Sequence, residues 1–89
     1  VIIGDFNIFN GAVVLGHDVK IGDYNVLMPS VRISGEVVMG DCNFFGVGSI
    51  VLQQLKIKND TKLAAGSVLM TKPKEGNVYL GVPAKVLKL

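Results

Sequence analysis

Several kinds of residue are scarce in this chain, and each scarcity excludes something. There is one cysteine, Cys42, among 89 residues. A lone cysteine cannot form an internal disulfide and points to a reducing compartment, so a cytoplasmic protein is predicted. There is one histidine, His17. It cannot supply the three imidazoles of a trigonal metal site, and Cys42 would be a solitary soft ligand, so no metal is expected. No apolar run approaches the roughly 18 residues of a membrane span. No basic-then-apolar signal segment opens the chain. P-loop, dinucleotide and Gly-x-Ser-x-Gly signatures are all missing. The glycines of Phe45–Ser49 are followed by no helical pattern, so they are not a phosphate cradle of that type.

Charge is sparse and unevenly placed. Residues 1–50 hold Lys20 and Arg32 against Asp5, Asp18, Asp23, Glu36 and Asp41, a net of −3. Residues 51–89 hold seven lysines against Asp60 and Glu75, a net of +5. A basic end can receive a phosphorylated ligand. Lysines also blunt strand edges, and both readings stand. Nucleic acid is not an expected partner, because the lysines are scattered and lack interleaved aromatics.

What is abundant is periodicity. Read in sixes from Ile3, the hexads begin Ile3, Phe9, Leu15, Ile21, Leu27, Ile33, Met39, Phe45, Val51, Ile57, Leu63 and Leu69, all apolar. Chance would give such a run about once in four thousand trials at this composition. The second position is most often glycine, as at Gly4, Gly16, Gly22, Gly40 and Gly46. A longer period lies on top. Ile3–Asn7 (IGDFN) returns as Ile21–Asn25 (IGDYN) and Met39–Asn43 (MGDCN), a step of 18 residues. Three short strands and three turns therefore make one coil, and the coil repeats. The sequence predicts an all-β, triangular parallel β-helix of about four coils over residues 1–74. Its apolar first positions should point inward, and its glycines should serve turns that need positive φ. No coil can bury its core alone.

Pro73 has no N–H to extend a sheet, so residues 75–89 are expected to form a C-terminal cap. Lys74–Asn77 reads as a turn, Val78–Leu80 as an extended piece, Gly81–Pro83 as a second turn, and Ala84–Leu89 as a short helix. At the other end Val1 begins inside the pattern, and a solenoid needs caps. An upstream portion is therefore expected.

The site candidates follow from the ruler of 18. His17 falls at a corner, where its ring should point outward. A neutral imidazole is the usual general base near pH 7. Asp18 beside it would orient it and raise its basicity. The competing reading is a surface histidine without a role. Gly35 lies 18 residues after His17, one coil above on the same edge, where an unobstructed N–H could donate to an oxyanion. The competing reading is a glycine that only makes its turn. Cys42 belongs to a different face from His17, so the two should not form a nucleophilic pair. It is expected to be a buried or half-buried filler.

The hexads resemble the left-handed β-helix of hexapeptide-repeat acyltransferases, and the left hand is taken from that resemblance. Gly16–Asn25, Ser34–Val51 and the ending Val78–Lys88 resemble the sialic acid O-acetyltransferase and UDP-amino-sugar N-acetyltransferase family. The resemblance implies a homotrimer with acetyl-CoA along the groove between neighbouring prisms. It implies direct transfer to an amino or hydroxyl group of a sugar or nucleotide sugar. His17 falls on the family's base, Asp18 on its acidic partner, and Gly35 on the amide facing the acetyl carbonyl. Val47 and Ala65 fall on cosubstrate contacts. Val26 stands where the family often has a second histidine. The family's N-terminal α/β domain has no counterpart in these residues. Two alternatives remain open. One is a non-catalytic trimerisation or scaffold module. The other is a serine- or galactoside-type acetyltransferase on the same prism.

Overall fold

The computed structural model describes residues 1–87. Within each hexad two residues are extended and four make a corner. The first coil is β1 (Ile2–Ile3), β2 (Ile8–Phe9) and β3 (Val14–Leu15). The second is β4 (Lys20–Ile21), β5 (Val26–Leu27) and β6 (Arg32–Ile33). The third is β7 (Val38–Met39), β8 (Phe44–Phe45) and β9 (Ile50–Val51). The fourth is β10 (Lys56–Ile57), β11 (Lys62–Leu63) and β12 (Val68–Leu69). Strands stack in parallel at a register of 18, with Ile3 opposite Ile21 and Ile21 opposite Met39. Three parallel stacks result: β1-β4-β7-β10, β2-β5-β8-β11, and β3-β6-β9-β12.

Burial follows the hexad. Ile21, Leu27, Ile33, Met39, Phe45, Val51, Ile57, Leu63 and Leu69 are all buried. Their counterparts in the first coil, Ile3 and Phe9, are exposed, because a coil covers them from above only. The residue before each inward one faces out, since successive strand side chains alternate.

The corners correct one expectation. From the first hexad to the eleventh, the left-handed conformation sits at the fourth position, whatever residue is there; Lys72, in the last, does not adopt it. Phe6, Ala12, Asp18, Tyr24, Ser30, Glu36, Cys42, Gln54 and Asp60 all adopt φ between 56° and 65°, and Gly48 and Gly66 occupy the same position. The second-position glycines answer a different need. A Cβ built on Gly16 would lie 2.6 Å from the Gly35 nitrogen of the coil above. Glycine is required there by the close approach of neighbouring coils, not by φ.

A buried asparagine ladder secures one corner. Asn7 Oδ1 accepts from the Asn25 backbone N–H at 2.8 Å, and Asn25 Oδ1 accepts from Asn43 N–H at 2.9 Å. Asn43 Oδ1 accepts from Thr61 N–H at 2.9 Å. Each side-chain amide also donates upward: Asn25 Nδ2 to Gly40 O and Asn43 Nδ2 to Lys58 O. Buried polar groups are tolerated because they are paired.

The C-terminal segment differs from the expected helix. β13 (Val78–Gly81) runs parallel to β11, with Leu63 opposite Tyr79. β14 (Ala84–Val86) returns antiparallel to it, with Gly81 opposite Ala84. An isolated six-residue helix is marginal, whereas the open edge of β13 offers ready partners. Tyr79 and Ala84 are buried and join the core cluster. The end of the expected helix, Lys88 and Leu89, lies outside the described residues.

Candidate active site

The prism has three corners, each a column of stacked turns. The first gathers residues 4–7, 22–25, 40–43 and 58–61. The second gathers residues 10–13, 28–31, 46–49 and 64–67. The third gathers residues 16–19, 34–37, 52–55 and 70–73.

His17 and Asp18 sit on the third corner, in the turn between β3 and β4. Their side chains are 71% and 81% exposed. Asp18 is the left-handed residue of this turn, with φ of 56°. Its Oδ2 lies 3.1 Å from His17 Nδ1. In the tautomer that donates Nδ1–H to this carboxylate, Nε2 carries the lone pair. Asp18 therefore selects which ring nitrogen accepts a proton.

Gly35 lies directly above. Its neighbour Glu36 donates its N–H to His17 O at 2.8 Å. A Cβ built on Gly35 would fall 2.6 Å from His17 Nε2 and 2.9 Å from Cδ2. The ring therefore lies against bare backbone, and any side chain at 35 would displace it. Gly35 O accepts from Gln54 N–H at 2.9 Å. The Gly35 N–H has no hydrogen-bond partner among the described residues. The ring edge that carries the Nε2 lone pair thus rests on Gly35, a residue whose own N–H is free. That pairing suits proton removal from a nucleophile beside an oxygen that gains charge.

Val47 and Ala65 lie on the second corner, one coil apart. Gly66 N–H donates to Val47 O at 2.9 Å. Both side chains are exposed. The neighbouring Gly48 and Gly66 face open space, since a Cβ at either meets nothing within 4 Å. This corner leaves room for an extended ligand against its backbone. It is not the corner of His17. The five candidates form two groups, His17–Asp18–Gly35 and Val47–Ala65, which one chain does not bring together.

Cys42 is on the first corner, away from both groups. It is exposed, with φ of 59°, and is not the buried filler expected. The turn claims the position before packing does. Among the described residues, no group of three or more His, Cys, Asp or Glu could hold a metal ion. One feature was not legible in the sequence. Lys58, Lys72, Lys74 and Glu75 converge with Pro73 on a cavity at the C-terminal end. Its only signal was the lysine-rich second half.

No family model and no curated protein matches the sequence. Solved structures do match in fold. PerB from Caulobacter crescentus, in complex with CoA and GDP-perosamine, superposes with a TM-score of 0.78 at 22% identity. A maltose O-acetyltransferase from Clostridium difficile 630 gives 0.68 at 18% identity. The acetyltransferase domain of PglB from Neisseria gonorrhoeae FA1090 gives 0.65 at 19% identity. The matches cover 98%, 97% and 97% of this chain, and 58%, 64% and 54% of those chains. The chain thus spans less than two thirds of each. At such identities the likeness is one of fold: the left-handed β-helix of acetyltransferases.

Proposed function

We propose that this β-helix is the acyl-transfer unit of an acetyl-CoA-dependent acetyltransferase. Its acceptor is an amino or hydroxyl group of a sugar or nucleotide sugar. The observation that carries the reading is the His17 imidazole, held by Asp18 through Nδ1 and laid against Gly35 at Nε2. The fold it shares with PerB, which was solved with CoA and GDP-perosamine, supports the choice of substrates.

In this mechanism His17 Nε2 takes the proton from the acceptor amine or hydroxyl as that group attacks the thioester carbonyl. The Gly35 N–H donates to the oxygen that becomes negative. The tetrahedral intermediate collapses, the C–S bond breaks, and the imidazolium returns its proton to the departing thiolate. Asp18 keeps the ring in place and holds the proton on Nδ1. The exposed second corner at Val47 and Ala65 fits the cosubstrate's extended arm. Holding two substrates together supplies much of the rate.

Assembly follows from the separation of the two groups. His17 and Val47 stand on different corners, and in this reading a neighbouring copy brings its second corner to the third corner of the first. A homotrimer of cyclic symmetry does this three times over. The outward residues of β2, β5 and β8, namely Ile8, Val26 and Phe44, give an apolar face for such packing. Val26 is part of this face and leaves His17 as the one imidazole.

The test uses the full chain with acetyl-CoA and a panel of amino and hydroxyl sugars. His17→Ala should lower turnover about 10²–10⁴-fold, with trimer mass and melting temperature unchanged. Unchanged turnover removes His17 from the mechanism. Absence of any thermal shift at millimolar CoA favours the scaffold reading, because a ligand of the folded state stabilises it by mass action.

A further inference from the structure

The C-terminal end of the prism holds a cavity of about 270 Å³ lined by Lys58, Lys72, Pro73, Lys74 and Glu75. It exists because the fifth coil is not completed. Lys74 and Glu75 stand where a strand should lie on β10. Pro73 is instead buried, continuing the inward column of Val19, Val37 and Leu55. Lys74 N–H turns to the Tyr79 hydroxyl at 2.7 Å. The edge of β10 is left without a neighbour at this point.

The consequence is visible in the backbone. At the second hexad position of this face, each N–H donates to the coil above: Gly4 to Ile21 O, Gly22 to Met39 O, and Gly40 to Ile57 O. Lys58 holds the same position one coil higher. Its N–H therefore points into the cavity, and it has no acceptor among the described residues. The Lys56 N–H, the counterpart of Val38 N–H donating to Leu55 O, has none either. The one carboxylate present, Glu75, has Oε1 drawn aside by Asn59 Nδ2 at 3.3 Å. Three lysines and backbone donors without acceptors thus line the cavity beside a single, partly engaged carboxylate.

We infer that this cavity binds a phosphoryl oxyanion. Backbone N–H groups and lysines together are the usual donor set for phosphate. The inference stands apart from the acyl-transfer reading and from His17. Its location is also distinct: the cavity lies over β10, between the third and first corners, and not at Val47 and Ala65.

The experiment is an amide-resolved NMR titration of the ¹⁵N-labelled full chain with sodium phosphate at constant ionic strength. The Lys58 amide and the amides of 72, 74 and 75 should shift saturably. A Lys72→Gln/Lys74→Gln double variant should weaken binding about tenfold or more, as loss of charge-assisted hydrogen bonds predicts. Lys85→Gln should leave it unchanged. Shifts no larger than those given by chloride overturn the inference. So do shifts spread evenly over Lys20, Lys62 and Lys85. Pantetheine and CoA then identify the source. Shifts at the same amides with CoA but not pantetheine mean a phosphate carried on the cosubstrate. Shifts with free phosphate alone mean an independent anion.

Discussion

At the first corner the third hexad position is occupied in turn by Asp5, Asp23, Asp41 and Asn59. At the third corner it is occupied by His17, Gly35, Gln53 and Thr71. Both corners make the same left-handed turn at the next residue, except at Lys72 after Thr71. Their polar groups go to different places. Asp23 Oδ1 accepts from Asp5 N–H, Asp41 Oδ1 from Asp23 N–H, and Asn59 Oδ1 from Asp41 N–H, each at 2.7 Å. Every third-position donor below the top coil is satisfied by a side chain one coil up. The asparagine ladder behind them does the same for the fifth position. At the third corner Gly35 has no side chain to cap the coil below. Its own N–H stays free, and the fifth position holds Val19 and Val37, which bring no polar atoms. One corner is closed upon itself. The other leaves an exposed imidazole and a backbone N–H without partners in the coil above.

The contrast can be broken from either side. Asn43→Ala removes the acceptor for Thr61 N–H and the donor to Lys58 O in a buried column. It should cost about 2–4 kcal/mol of folding stability, read by urea or thermal denaturation. Turnover per folded molecule should be unaffected. Gly35→Ala acts on the other corner. The new Cβ displaces the His17 ring, and turnover should fall about 10–100-fold, with a melting temperature close to that of the parent. A large loss of stability with normal turnover would reverse the roles assigned to the two corners. Asp18→Asn should lower turnover about tenfold by loosening control of the tautomer, and the exposed site predicts no change in melting temperature. The smallest effect sharpens the boundary of the first corner. Thr61 ends the asparagine column, and its buried Oγ1 has no partner among the described residues. Thr61→Val should be neutral or stabilising by up to about 1 kcal/mol. A clear destabilisation would mean that the hydroxyl is hydrogen-bonded in solution.

The coils were legible because each hexad repeats one inward residue, and the step of 18 sets which residues stack. That rule put Gly35 over His17 and Ala65 over Val47 before any coordinates. It also separated Cys42 from His17. The reason for the glycines was not legible. The pattern shows where Gly16 recurs but not that Gly35 N lies within a bond's reach of its missing Cβ. The burial of Cys42 was misjudged because composition ranks residue types, while the turn exposes whatever occupies its fourth position. The final strand was read as a helix because Ala84–Leu89 has no alternation strong enough to declare a strand. Its pairing partner, β13, lies just across the two-residue turn at Val82 and Pro83, and is itself anchored on β11.

By itself the sequence determined the repeat, the inward columns, the three corners and the residues that share each corner. A period of 18 acts through local turn geometry, so it needs no information from elsewhere in the chain. Only the tertiary structure decided what the polar groups do. Whether a carboxylate meets a backbone N–H, whether an imidazole rests on bare backbone, and whether Lys58 faces an empty edge depend on distances between coils. Those distances are set by side chains 18 residues apart, and no periodicity records them.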